Sequence, residues 1–253
     1  MILHHRSIGQ GKPLVILHGL FGSADNWLTF AKSISDQYRV IMMDIRNHGH
    51  SAHTPDFNYD LISKDIADTL QTLNIPSCYL MGHSMGGKAA AFFTLKYREV
   101  VEKLIVIDIA LKSYPPHHQR YFDAMLSLNL IETTNRIEAD ALLQQYIEDT
   151  TVRQFILKNL VRTDDGHFNW RFNLAALYQH YDEINIKVET NHPFSHPVLF
   201  IKGEKSDYIL PDDIAGIRNC FINVNVVTIP GAGHWVHADK PAELKESLLR
   251  FLN

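Results

Sequence analysis

The sequence predicts an α/β protein built on a doubly wound, mostly parallel sheet. Short apolar runs rich in Val and Ile alternate with longer amphipathic stretches along most of the 253 residues, as parallel strands covered on both faces require. Hydrophobic residues make up 45% of the chain, enough to bury one large core. Ser84, Asp108 and His234 stand at or just beyond the ends of apolar runs, where such sheets place their sites.

The strands follow in order as "LVILH" (14–18), "RVIMMD" (39–44), "CYLMG" (78–82), "KLIVID" (103–108), "PVLFIKG" (197–203) and "NVNVVTI" (223–229). Between them, 25–36, 58–74, 85–97, 211–219 and 240–252 carry helical periodicity. The last two open with the helix-start signals Pro211-Asp212-Asp213 and Asp239-Lys240-Pro241. Residues 111–195 break the alternation: no strand is expected there, and "HHQRYFDAMLSLNL" and "NRIEADALLQQYIEDTTVRQFILKNL" predict helices. We take residues 1–253 as one domain and 111–195 as a helical insert laid over the site. The insert's aromatics Tyr114, Tyr121, Phe122, Phe168, Trp170, Phe172 and Tyr178 are expected mainly in its own core.

Bulk properties narrow the function. Lys plus Arg number 24 and Asp plus Glu 28, a net charge of −4, and no long basic block appears, which argues against nucleic acid. No run approaches a membrane span or a signal-peptide core. Cys78 and Cys220 each lie in a strand-like apolar run, so burial as free thiols is expected over a disulfide. That suits a reducing cytoplasm.

The stretch "YLMGHSMGGKAAA" (79–91) admits two machines. As Gly82-x-x-x-x-Gly87-Lys88 it is most of a phosphate-binding loop, and "LIVID" resembles the acidic strand that accompanies one. Residue 89 is Ala, however, so the hydroxyl that would hold Mg²⁺ is missing. As Gly82-x-Ser84-x-Gly86 it is a nucleophile elbow, a turn so tight that it needs small neighbours. The elbow finds the partners its chemistry requires elsewhere in the chain. "LHGLFGS" (17–23) follows an early strand and supplies a loop for oxyanion binding. The candidate donors are the N–H groups of Leu20 and Met85, with Phe21 as the alternative to Leu20. "PGAGHWVH" (230–237) places His234 in a Gly-rich loop as the general base, ahead of its competitor His237. Two acids fit the order Ser, acid, His. Asp108 ends "LIVID", and Asp207 lies in "IKGEKSDYILP", one residue past a place where such loops more often carry Asp and where Ser206 stands. Spacing alone leaves both open.

Other features carry less. His48, His50 and His53 cluster in "RNHGHSAH" without a carboxylate or cysteine at ligand spacing, so no metal site is assigned. His4-His5 and His117-His118 are expected at the surface. Lys88 falls in the first turn of the helix after Ser84, solvated or paired, and is given no role.

Taken in order, "LHGLFGS", "DIRNHGHS", "GHSMGGK", "LIVIDIA", "WRFNL" and "GAGHWVHADKP" resemble the α/β-hydrolase superfamily, and within it the YbfF-type carboxylesterases. The resemblance covers essentially the whole chain. It implies the α/β-hydrolase fold, with an eight-stranded sheet and a helical cap inserted after strand 6. It also implies hydrolysis of small-molecule esters or thioesters without a cofactor. In that family the acid stands at the end of strand 6, which falls on Asp108; Asp207 is a departure that keeps the other position open. The expected mechanism is attack by Ser84, with His234 as base. The rivals are other chemistry on the same fold (C–C hydrolysis, a lyase step, perhydrolysis) or a binding protein without turnover.

Overall fold

A computed structural model describes residues 1–253. In chain order its strands are β1 (His5–Ile8), β2 (Lys12–Leu17), β3 (Tyr38–Met43), β4 (Cys78–His83), β5 (Val101–Ile107), β6 (Leu160–Arg162), β7 (Phe168–Trp170), β8 (Val198–Gly203) and β9 (Val224–Ile229). The helices are α1 (Leu28–Lys32), α2 (Tyr59–Thr72), α3 (Met85–Lys96), α4 (Gln119–Leu126), α5 (Arg136–Gln144), α6 (Thr150–Leu157), α7 (Leu174–Gln179), α8 (Tyr181–Asn185), α9 (Asp213–Cys220), α10 (Val236–Asp239) and α11 (Pro241–Leu252).

Seven strands form the main sheet in the order β1-β3-β2-β4-β5-β8-β9. All neighbours are parallel except β1, which runs antiparallel to β3. Alternation along β2 divides the core: Leu14 and Ile16 join Trp27, Ile34, Leu244 and Leu248 on one face. Val15 and Leu17 join Ile62, Ile66, Ala89 and Phe93 on the other. Apolar side chains are needed on both faces of these strands because helices cover both. Strand order reverses at β2, whose neighbours are β3 and β4, so the loops after β2 and β4 diverge and leave a crevice at their carboxyl ends.

Three expectations need correction. The main sheet has seven strands, not eight. Residues 1–3 run to α2 instead of adding a strand at the sheet edge: the Leu3 N–H donates to Thr69 Oγ1 at 2.9 Å, and the Met1 amino group meets Asp65 Oδ1 at 2.8 Å. The strand ending at Asp108 is therefore fifth in chain order, not sixth. The segment 111–195, expected to lack strands, contains the antiparallel pair β6–β7, whose three-residue strands are too short to show a period. Edge strand β1, "HRSI", was missed because no residue in it is buried.

Cys78 and Cys220 are both buried free thiols, as expected, but only Cys78 lies in a strand; Cys220 ends α9. No helix is long and apolar enough to cross a membrane.

Candidate active site

The residue after β4 is Ser84, with φ 53° and ψ −123°, a left-handed conformation that costs a non-glycine residue roughly 1–3 kcal/mol and clusters at functional sites. Its close approaches explain the flanking glycines. A β-carbon at Gly82 would collide with the Gly86 carbonyl, and one at Gly86 with the carbonyls of Leu17 and His18. The turn puts Ser84 at the head of α3, where its side chain makes no capping hydrogen bond.

Asp108 repeats the device one strand away. It follows β5 with φ 51°, is fully buried, and its N–H donates to the Ile201 carbonyl at 2.7 Å. Its Oδ1 accepts the Gly203 N–H at 2.9 Å, and Ser206 Oγ donates to Oδ2. His234 Nδ1 lies 2.8 Å from the same Oδ2. Asp207 is exposed and makes no hydrogen bond to the imidazole. The buried carboxylate of Asp108 thus receives three donors, which satisfy oxygens that water does not reach.

The imidazole of His234 is held on other sides as well. Tyr208 stacks on it with ring centroids 4.0 Å apart and planes tilted by 20°. His83 Nε2 donates to the His234 carbonyl at 2.8 Å. Burial first, then the nearby His234 and His237 rings, push His83 well below the ordinary imidazole range; it is a neutral donor. His237 falls in α10, a separate turn before the final helix, where it stacks on Trp27 at 4.4 Å. Its Nδ1 is buried without a partner, and burial lowers its pKa to about 4.

Of the backbone donors, Phe21 N–H is engaged by His48 Nε2 at 3.2 Å. The N–H groups of Leu20 and Met85 donate to no protein acceptor. Ser84, His234, Leu20 and Phe21 line one cavity of about 240 Å³. Tyr121, Val152, Phe155 and Ile156 of the segment 111–195 and Trp235 close its apolar side. Of the seven aromatics named above, only Tyr121 lines this cavity; Phe122, Phe168, Trp170 and Phe172 lie in the core.

Three further side chains are placed by the structure, and one of them, His118, departs from the sequence expectation. His118 is no surface residue: it lines the cavity, and burial, followed by the charge of His117, lowers its pKa to about 3. Lys88 is 1% exposed. Its Nζ donates to the carbonyls of Lys112 at 2.8 Å, Asn185 at 3.2 Å and Ile186 at 2.6 Å, so it is committed to the start and end of the helical segment and turned away from any phosphate. His48, in "RNHGHSAH", has both ring nitrogens occupied, Nδ1 by the Arg46 carbonyl and Nε2 by Phe21 N–H, and neither is free to bind a metal. Roles for Ser206, Tyr208 and His83 were missed. The one available signal was Ser206 in the place usual for an acid.

Comparison with known proteins agrees with this architecture. The family described as alpha/beta hydrolase fold matches residues 12–241. Esterase YbfF of Escherichia coli is 36% identical over 245 residues, covering 96% of this chain and 94% of that protein. The sn-1-specific diacylglycerol lipase ABHD11 of Mus musculus is 39% identical over 247 residues, covering 94% of this chain and 80% of its own. A solved structure titled marine microorganism esterase superposes with a TM-score of 0.97 at 38% identity, covering 99% of both chains.

Proposed function

The chain belongs to the α/β-hydrolase family, and on that premise we propose that it is a serine carboxylesterase for small to medium acyl esters. The observation that carries this is the 2.8 Å contact of His234 with buried Asp108 in a cavity that also exposes Ser84 at a strained elbow. Ser84 Oγ attacks the ester carbonyl carbon while His234 Nε2 takes its proton. Asp108 holds Nδ1–H and so presents Nε2 as the base. Negative charge develops on the carbonyl oxygen and is met by the N–H groups of Leu20 and Met85, which have no protein acceptor to give up. Collapse of the tetrahedral intermediate expels the alcohol, protonated by His234. Water then repeats the steps and releases the acid.

Residues 111–195 act as the cap: their apolar side chains give the acyl group a dry wall, and affinity follows the area buried. A wider groove of about 950 Å³ shares Asn26, Phe155, Trp235 and His237 with the cavity, and gives the alcohol portion a polar path to solvent. Thioesters suit the same machinery. The buried free thiols Cys78 and Cys220 fit a cytoplasmic location.

The test is intact mass after fluorophosphonate treatment, on wild type and on Ser84→Ala. One adduct on wild type and none on the variant is the expected result. A folded wild type that takes up no adduct would sink the reading.

A further inference from the structure

Phe21 is clamped by residues from two distant parts of the chain. Its φ of 60° is left-handed, a conformation that persists in a residue with a side chain only where the surroundings impose it. His48 Nε2 accepts its N–H, and Asn159 Nδ2 donates to its carbonyl at 2.8 Å. Its ring lies 5.1 Å from those of both Phe122 and Phe172. The motifs "RNHGHS" and "WRFNL" thus converge on one residue, and they also bond each other: Asn173 N–H donates to the Asn47 carbonyl at 2.8 Å.

The His48 tautomer follows from its partners. Nδ1 faces the Arg46 carbonyl at 3.0 Å and must donate, which leaves Nε2 as the acceptor. Neighbouring His18 is used the same way, with Nδ1 toward the Gly19 carbonyl at 2.8 Å and Nε2 accepting Ile45 N–H at 3.0 Å. Both brace the loop from beneath. From above, Phe122 and Phe172 pack on the Phe21 ring, and Asn159 supplies the hydrogen bond to the loop backbone. Asn159 is 5% exposed and follows α6, whose Val152, Phe155 and Ile156 wall the cavity. Its own carbonyl is anchored by Arg171 N–H at 2.8 Å.

We propose that Asn159 is a positioning residue: through the Phe21 carbonyl it fixes the short loop from which Leu20 N–H reaches the oxyanion. The cap then takes part in catalysis as well as covering the cavity. This rests on the oxyanion role of Leu20 proposed above. Donors act only when held about 2.7–3.1 Å from the oxyanion position, and a shift near 1 Å can cost about a hundredfold. Phe21 is the residue next to Leu20, so freedom gained at its carbonyl is passed on to that donor.

The test uses the full chain with Asn159→Ala and Asn159→Asp; the second keeps the shape and removes the N–H donor. We would measure kcat and KM on a p-nitrophenyl ester and inhibition by a trifluoromethyl ketone, which forms a tetrahedral oxyanion on the serine. All rates are expressed per Ser84 titrated with fluorophosphonate. The expected outcome is a fall in kcat of roughly 10- to 100-fold with KM nearly unchanged, and a parallel loss of ketone affinity. A kcat per titrated site within about twofold of wild type overturns the proposal, as does a loss that disappears on normalisation and so reports folding alone. A wild type without turnover would instead count against the esterase reading itself.

Discussion

Ser206 Oγ donates to Oδ2 of Asp108, the same oxygen that lies 2.8 Å from His234 Nδ1. The residue standing where an acid is more usual thus bonds the carboxylate that arrives from the neighbouring strand. A hydroxyl and an imidazole N–H on one carboxylate oxygen, with Gly203 N–H on the other, leave the carboxylate little freedom to rotate.

The acid assignment makes a sharp prediction. Asp108→Asn keeps the shape but presents the wrong imidazole tautomer, and kcat should fall by about 10⁴-fold. Asp207→Asn, at an exposed position, should leave kcat within about threefold of wild type. Steady-state rates on one ester decide it. Similar, mild losses in both variants would remove each from the role.

Acyl length offers an independent check. The cavity beside Ser84 is finite, at about 240 Å³, and each methylene buried there adds at most about 0.8 kcal/mol. A p-nitrophenyl ester series should show kcat/KM climbing with chain length and then dropping. Flat values from acetate to long chains would contradict a closed acyl site.

Lys88 should matter for stability. Burial pushes its pKa down to about 7, while three carbonyl acceptors favour the protonated form that donates to them. Lys88→Met removes every one of these donors at the point where the cap joins the sheet. Unfolding free energy should drop by about 2 kcal/mol or more, read from denaturant melts. A variant as stable as wild type would show that water replaces the ammonium without cost.

The buried histidines set the acid limb of stability. Burial lowers His48 and His118 to about 3 and His237 to about 4, against an ordinary value of 6.5. Between those values and 6.5 the unfolded chain binds protons that the native chain does not, so stability falls as pH drops through this window. Each such histidine adds up to about 1.4 kcal/mol per pH unit. Melting temperatures at pH 7 and pH 5 should differ accordingly, and His118→Gln should flatten the slope. An unchanged slope in that variant would mean that His118 protonates freely in the folded protein.

Six strands of the main sheet, the principal helices flanking them and the turn around Ser84 were legible because each is written in consecutive residues. A buried parallel strand needs an apolar run, and the elbow needs glycines two positions before and after the serine. Edge strand β1 and the β6–β7 pair were not legible, since a polar edge strand and three-residue strands carry no periodic signal. His118 was misplaced, and Lys88 left open between solvation and pairing, for a related reason: a charged or titratable side chain is solvated by default, and only the fold reveals the carbonyls or walls that enclose it.

The sequence by itself determined the strand–helix alternation, the tight turn at Ser84 and the glycine-rich loop holding His234, because local backbone geometry depends on nearest neighbours along the chain. Tertiary structure alone decided which carboxylate lies against His234, which residue supports that carboxylate, and what holds Phe21. Those contacts join His234 to Asp108 across 126 residues, Ser206 to Asp108 across 98, and Asn159 to Phe21 across 138. Such pairings depend on where loops from separate strands meet above the sheet, and spacing along the chain does not encode that distance.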